Sequence, residues 1–383
     1  MRVLIAGGGT GGHLFPGIAI AEEVVTRHAA NSVLFVGTAK GLEARVVPEE
    51  GYQLELVDVA GLKRVGPLAF LSALSLLPRA FLASMRILKR FDPDVVVGVG
   101  GYASGPVVLA AWLKRIPTAI QEQNALPGFT NRVLGHFVRA IFIAFDEARA
   151  HFPKKKCHLT GNPIRRAFLD NYLKPRSLAP TTDLTLLVTG GSRGAHVLNE
   201  RVVAAIGKLA ELKDRLVVIH QTGEKDVASI TEAYRALGVR AEVSAFIRDM
   251  SSAYARVDLV VCRSGATTLA ELTMCKKAAL LVPFPFATDD HQAVNAKAMV
   301  DAGAALMIRE EALTPERLAD EVRALLGDDE RRRKMERASG LLGRPEAGKE
   351  IADVCVALCS ERLLREGRNL PPQKPKPGQK GGG

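Results

Sequence analysis

Short runs of β-branched and aliphatic residues recur along this chain, each followed by a stretch long enough for a crossover helix. The first series is Val3–Ala6, Val33–Val36, Leu54–Val59, Val95–Val99, Thr118–Ile120 and Ala140–Ile143. A second series follows Pro163: Leu184–Val188, Leu216–Ile219, Ala241–Val243, Leu259–Cys262, Ala279–Val282 and Ala305–Ile308. Runs that are apolar on both faces are what buried parallel strands require, and parallel strands need helical crossovers. The pattern therefore predicts an α/β fold with two doubly wound domains. A length of 383 residues agrees, because one hydrophobic core rarely grows that large.

The two series open alike. Val3-Leu4-Ile5-Ala6 runs into Gly7-Gly8-Gly9-Thr10-Gly11-Gly12-His13, and Leu186-Leu187-Val188-Thr189 runs into Gly190-Gly191-Ser192-Arg193-Gly194-Ala195-His196. A glycine-rich turn between a strand and a helix brings backbone N–H groups close to phosphate. Two such turns suggest two anionic groups facing each other across a cleft. The spacing Gly7-x-Gly9-x-x-Gly12 also matches a dinucleotide fingerprint, but the next strand ends Val36-Gly37-Thr38-Ala39-Lys40, without the acid that holds an NAD ribose.

Arg263-Ser264-Gly265-Ala266-Thr267-Thr268-Leu269-Ala270-Glu271 follows a strand and opens a helix, so its small residues offer N–H groups to a diphosphate. Glu271 either accepts hydrogen bonds from a ribose diol or simply complements the positive end of that helix; the sequence leaves both open. His13, beside the first glycine turn, is a candidate general base or a polar cap. Asp92-Pro93-Asp94 resembles the metal-binding Asp-x-Asp of other sugar transferases. It precedes a strand rather than following one, so it reads as a turn and no metal is expected there.

The formal net charge of +11 calls for a polyanionic partner. One Trp and five Tyr leave few stacking platforms for single-stranded nucleic acid, so lipid and diphosphate come first and no nucleic-acid partner is expected. Residues 68–88 combine Leu68, Phe70, Leu71, Leu74, Leu76, Leu77, Phe81 and Leu82 with Lys63, Arg64, Arg79, Arg86, Lys89 and Arg90 around them. Such a helix lies on an anionic membrane surface or packs in a core with solvated ends. No apolar run reaches the roughly 20 residues of a spanning helix, and none resembles a secretory leader, so a cytoplasmic chain is expected. The five cysteines contain no C-x-x-C pair and read as reduced core thiols.

Together, Gly8-Gly9-Thr10-Gly11-Gly12-His13, Gly100-Gly101-Tyr102-x-Ser104-Gly105-Pro106, Glu122-Gln123-Asn124 with Pro127-Gly128 and Thr130-Asn131, Gly161-Asn162-Pro163-Ile164-Arg165, Gly190-Gly191-Ser192 and Cys262-Arg263-Ser264-Gly265-Ala266 closely resemble the MurG family. These are the N-acetylglucosaminyltransferases that convert lipid I to lipid II, and the resemblance spans about residues 1–357. It implies two facing Rossmann-like domains of the GT-B glycosyltransferase type: an acceptor and membrane-facing domain over 1–163 and a UDP-sugar domain over 164–344. A helix within 345–368 would cross back to the first domain, ahead of a disordered basic tail over 369–383.

The resemblance further implies that Ile247 meets uracil through its backbone, Glu271 the ribose, Ala266, Thr267, Thr268, Leu269, Ala270 and Ser192 the diphosphate, and Gln292 with Asn124 the sugar. Arg165 would approach the donor from the domain junction, Thr10, Gly11 and Gly12 would close on it, and the same glycine turn would also serve the acceptor diphosphate. His13 is the first candidate for the base that takes the acceptor's hydroxyl proton. The expected partners are UDP-N-acetylglucosamine, undecaprenyl-diphosphate-linked MurNAc-pentapeptide and the anionic inner face of the membrane, with no cofactor. Gln121, Arg193 and His291 depart from commoner forms of the pattern, and Gln121 puts a catalytic role at its position in doubt. The competing readings are a similar transferase using another lipid acceptor such as diacylglycerol, a nucleotide-sugar epimerase, and a non-catalytic sugar-nucleotide-binding subunit.

Overall fold

The computed structural model describes residues 1–59, 67–173, 183–191 and 194–367. The chain divides into two compact units. One contains residues 1–123, 127–165 and the segment from Glu346 onward; the other contains 124–126 and 166–345. The grouping of Asn124–Leu126 with the second unit was not foreseen from the sequence.

In the first unit, β1 (Arg2–Gly7), β2 (Ser32–Gly37), β3 (Gln53–Leu56), β4 (Val95–Gly100), β5 (Thr118–Glu122), β6 (Ala140–Ile143) and β7 (Cys157–Leu159) form one parallel sheet. Its order is β3-β2-β1-β4-β5-β6-β7. The second unit has β8 (Leu184–Thr189), β9 (Leu216–Gln221), β10 (Arg240–Ser244), β11 (Leu259–Cys262), β12 (Ala279–Leu281) and β13 (Ala305–Met307), in the order β10-β9-β8-β11-β12-β13. The strand order reverses between β1 and β4 in one sheet and between β8 and β11 in the other. Ligands of open parallel sheets gather at the carboxyl ends of the strands flanking such a reversal. All four of those strands run directly into the glycine-rich or small-residue turns singled out in the sequence.

Alternation along β1 shows why both faces had to be apolar. Val3 and Ile5 pack in one core cluster with Leu14 and Ile18 of the Gly11–Arg27 helix, while Leu4 and Ala6 pack in another with Ile87 and Leu88 of the Pro67–Phe91 helix. The edge strands depart from the expectation of two buried faces. β3 ends at Leu56 instead of Val59 and is partly exposed, as is β10, because an edge strand has a neighbour on one side only.

The Ala347–Arg365 helix belongs to the first unit. Ile351, Ala352 and Cys355 are buried in the core that the Gly11–Arg27 helix covers. Arg27 Nη1 donates to Asp353 Oδ1 at 2.6 Å and its Nη2 to the Lys349 carbonyl at 2.7 Å. Arg362 donates to the Pro93 carbonyl. The 369–383 tail lies outside the described residues.

Ile351→Ala removes buried methylenes from this contact and should destabilise the first unit by about 2–5 kcal/mol. The chain's one tryptophan, Trp112, sits in that unit and reports its unfolding in guanidinium. A fluorescence midpoint unchanged from the parent would show that the helix contributes nothing to that core.

Candidate active site

In the first unit, Gly7, Gly8 and Gly9 leave β1 with φ of 150°, 139° and 90°, which side-chain-bearing residues rarely adopt. Thr10 is the extended N-cap of the Gly11–Arg27 helix. Much of the turn's donor capacity is already used. The Gly8 N–H donates to the Gly100 carbonyl at 3.2 Å, and the Gly9 N–H donates to Glu43 Oε2 at 2.6 Å. Glu43 is 1% exposed, and its Oε1 accepts from the Thr38 N–H at 2.8 Å and the Thr38 hydroxyl at 2.9 Å. A Cβ at Gly8, Gly37 or Gly41 would overlap this side chain, so three glycines make room for one carboxylate.

The first turn thus holds an anion of its own making. The expectation of an anion-binding turn narrows to Thr10, Gly11 and Gly12, whose N–H groups have no helical acceptor four residues back. A dinucleotide pyrophosphate over Gly8 and Gly9 would compete with the Glu43 carboxylate for the same donor. Sequence reasoning missed Glu43. The signal for it was an acid six residues after the strand-ending Gly37, with Gly41 between them.

His13 is half-buried in the first turn of the helix, and its ring lies where any side chain at Gly100 would have to go. Its Nδ1 meets the carboxamide nitrogen of Gln123, just beyond β5. Glu122 is 1% exposed, and its Oε2 accepts from the Gly128 N–H at 3.1 Å and from Asn131 Nδ2 at 3.0 Å. Gln121 is wholly buried and donates to Asn162 Oδ1 at 3.2 Å. Arg165 places its guanidinium 4.6 Å from the Phe15 ring centroid.

In the second unit, Gly191 carries φ 87°, and Gln221 Nε2 braces its carbonyl at 2.9 Å. Ser192 and Arg193 lie outside the described residues. The same Gln221, 2% exposed, accepts from the Ile247 N–H at 2.8 Å through its Oε1. The Ile247 N–H is therefore engaged, and its carbonyl is the backbone group left to offer a base. An open cleft of about 560 Å³ has Ile247 on one wall, with Ser244, Asp249 and Ala253. Neither Glu271 nor the Ala266–Met274 helix start lines it, so it is not assigned to the nucleotide.

Gly265 is the extended N-cap of that Ala266–Met274 helix. The N–H groups of Ala266, Thr267 and Thr268 start it without helical acceptors, whereas the Leu269 N–H already donates to the Gly265 carbonyl at 3.0 Å. Leu269 is 1% exposed and packs in the interior. Glu271 is half-buried, and the hydroxyl of the fully buried Tyr254 donates to its Oε2 at 3.5 Å. Burial pushes the Tyr254 hydroxyl well above its usual range, and the Glu271 charge adds to that, so the hydroxyl stays a donor.

Asn124 and Gln292 are anchored within this unit. Asn295, fully buried, donates to Asn124 Oδ1 at 3.2 Å and accepts from the Ala125 N–H at 2.9 Å, which ties the 124–126 segment down. Gln292 Oε1 accepts from the Phe284 N–H at 3.0 Å, and the Gln292 carbonyl accepts from the Ser264 hydroxyl at 2.8 Å. Asp289 and Asp290 precede Gln292 in left-handed conformations, φ 55° and 52°, a strained entry to the helix that carries it. His220 is not a second base: burial pushes it down to about 3, so it is neutral and bonds to Tyr234 and Asn199. At the amino end of the first sheet, Asp92 forms an ion pair with the Arg2 guanidinium and Asp94 Oδ2 accepts from the Arg2 backbone N–H at 2.7 Å.

The Glycosyltransferase family 28 N-terminal domain matches residues 3–143, and the Glycosyltransferase family 28 C-terminal domain matches residues 185–352. A Myxococcus xanthus relative, UDP-N-acetylglucosamine–N-acetylmuramyl-(pentapeptide) pyrophosphoryl-undecaprenol N-acetylglucosamine transferase, is 64% identical over 97% of this chain and 97% of its own. The chain belongs to glycosyltransferase family 28 and, within it, to the MurG family. The Acinetobacter baumannii MurG crystal structure superposes with a TM-score of 0.74 at 31% identity, over 92% of this chain and 99% of that one. The Neisseria meningitidis UDP-GlcNAc 2-epimerase gives a TM-score of 0.66 at 13% identity, over 93% and 100%, and shares the fold. This family 28 chain is thus a hexosyltransferase with two Rossmann-like domains of the GT-B type. Among the described residues, no helix is long and apolar enough to cross a membrane.

Glu43→Gln turns the donating amide NH2 toward the Gly9 N–H or the Thr38 donors, whichever way the carboxamide points. It should destabilise the first unit by about 1–3 kcal/mol, since a buried donor loses its acceptor. A denaturation midpoint equal to that of the parent would show that this carboxylate does not hold the turn.

Proposed function

We propose that this enzyme moves N-acetylglucosamine from UDP-N-acetylglucosamine to the 4-hydroxyl of undecaprenyl-diphosphate-linked MurNAc-pentapeptide. Configuration inverts at the anomeric carbon, and the products are lipid II and UDP. The observation that carries this reading is the 64% identity, over 97% of both chains, with a transferase named for that donor and acceptor. The second unit takes the donor. Glu271, steadied by Tyr254, binds the ribose diol; the N–H groups at Ala266, Thr267 and Thr268 take the diphosphate; the Ile247 backbone meets uracil; Gln292 and Asn124 orient the sugar. Preorganised N–H groups stabilise the charge that grows on departing UDP, and losing one such donor costs about 100-fold or more in rate.

The first unit takes the acceptor, with Thr10, Gly11 and Gly12 at the helix start and His13 removing the hydroxyl proton. Arg165 adds positive charge for a diphosphate. Donor radiolabel incorporated into lipid I but not into diacylglycerol is the expected result of a parallel transfer assay. Preferential labelling of diacylglycerol would replace this acceptor by the other lipid.

The enzyme is further proposed to work at the cytoplasmic face of the membrane. Leu82, Trp112 and Leu113 are 56%, 40% and 54% exposed, and Trp112 stacks edge-on against the part-exposed Phe137. Arg79, Arg86 and Lys89 accompany them on the Pro67–Phe91 helix, and Lys114 and Arg115 directly follow the Ser104–Leu113 helix that carries Trp112 and Leu113. Apolar side chains ringed by cations suit an anionic lipid surface. The helix buries Ala80, Ile87 and Leu88 in the core, so both readings of the 68–88 stretch have support, and the side chains of Leu68 to Leu74 lie outside the described residues. Leu82→Glu with Leu113→Glu replaces exposed positions, so folding should persist. Sedimentation with anionic vesicles should fall several-fold, while turnover of a soluble short-chain acceptor is retained. Unchanged sedimentation would remove this surface from membrane binding.

A further inference from the structure

His13 and Gln123 are in contact, and the chemistry asked of His13 places a demand on that contact. Its Nδ1 is engaged by the Gln123 carboxamide, so the nitrogen that has to meet an acceptor hydroxyl is Nε2. A base needs Nε2 unprotonated, and in a neutral imidazole the proton then sits on Nδ1. A proton on Nδ1 needs an acceptor in front of it. The acceptor atom Gln123 carries is Oε1, which is buried without a partner while the amide nitrogen faces the ring. Rotating the amide by half a turn exchanges the two atoms, keeps one hydrogen bond to the imidazole, and costs Oε1 nothing it had. Carboxamide O and N are interchangeable in this way, and the network decides between them.

We infer that Gln123 is a positioning residue that turns its carboxamide oxygen to His13 Nδ1–H and thereby sets the imidazole tautomer with a basic Nε2. Gln123 is 2% exposed, so the side chain is held by packing and has few other places to go. Gly100 has the same consequence from the other side: a Cβ there would overlap the His13 ring, so the ring is confined between that glycine and the carboxamide. Several charged groups on the surrounding elements have described partners of their own. Glu43 faces Gly9 and Thr38, Glu122 faces Gly128 and Asn131, and Arg165 lies on Phe15, while Tyr102 is mostly exposed. Gln123 is itself neutral, so it orients the ring without bringing the charge that a carboxylate at its position would bring.

The inference rests on the proposal that His13 is the base, and the test separates the two. The full chain is assayed with lipid I and UDP-N-acetylglucosamine across pH as His13→Ala, Gln123→Glu and Gln123→Met. With His13→Ala, kcat should fall about 100-fold or more; near-normal kcat overturns the base assignment and this inference with it. If His13→Ala is impaired, Gln123→Glu decides. A carboxylate beside the ring stabilises imidazolium, so the acidic limb of kcat/KM should move up by about one pH unit or more. Gln123→Met, close in volume and without an acceptor, should lower kcat at least 10-fold with both KM values within about twofold. A role in packing alone would lower activity evenly across pH, so an acidic limb left in place in a folded Gln123→Glu protein overturns the tautomer assignment. Should Gln123→Glu not fold, normal kcat in Gln123→Met overturns it instead.

Discussion

The structure depends on the direction of its parallel strands. Each sheet presents carboxyl ends at the point where strand order reverses, and the helix that follows starts there with unpaired N–H groups. Two sheets built this way produce two sets of donors, at Gly8–Gly12 and at Gly265–Thr268, from the same backbone geometry. What distinguishes them is the local side chain. In the first unit the buried carboxylate of Glu43 takes the Gly9 N–H, whereas in the second the helix start at Ala266 is lined by small residues and has no such acid against it among the described contacts. A repeated turn therefore serves two purposes: one holds its own loop rigid, and the other is proposed to hold a diphosphate.

That rigidity matters for the first unit because the base proposed for it, His13, sits beside the turn. The imidazole of His13 is fixed by the absence of a side chain at Gly100 and by Gln123, and neither contact is local in sequence. In the second unit the corresponding rigidity comes from Gln221, which bridges the glycine turn and the Ile247 segment, and from Asn295, which pins Asn124. Amides recur in these positions. They brace backbone and side chains without placing a charge near a reaction whose transition state is itself highly charged.

The parts of this architecture legible in the sequence were those that depend on composition along a short run. The apolar strands could be read because a strand covered on both faces has no room for polar residues; β7 could not, since it is three residues long and carries the exposed His158 at its centre. The glycine turns were visible, yet their occupancy was not, because the Glu43 carboxylate reaches Gly9 only once Gly37 and Gly41 have folded around it. Leu269 stood in a run of candidate diphosphate donors, but its N–H is the first to close a helical bond and its side chain is interior. The Asn124–Leu126 segment looked continuous with the first unit, but it groups with the second, where Asn295 holds Asn124 and Ala125. Local pattern identified the elements; contacts between residues far apart in sequence decided which groups remained available.

The nucleotide diphosphate is proposed to belong to the start of the Ala266–Met274 helix and not to the first glycine turn. A crystal structure of the protein with UDP measures this directly. The expected density puts the diphosphate oxygens against the N–H groups of Ala266, Thr267 and Thr268, with the ribose diol on Glu271 and the Gly9–Glu43 hydrogen bond intact. Diphosphate density over Gly8 and Gly9, with the Glu43 carboxylate displaced, would contradict it.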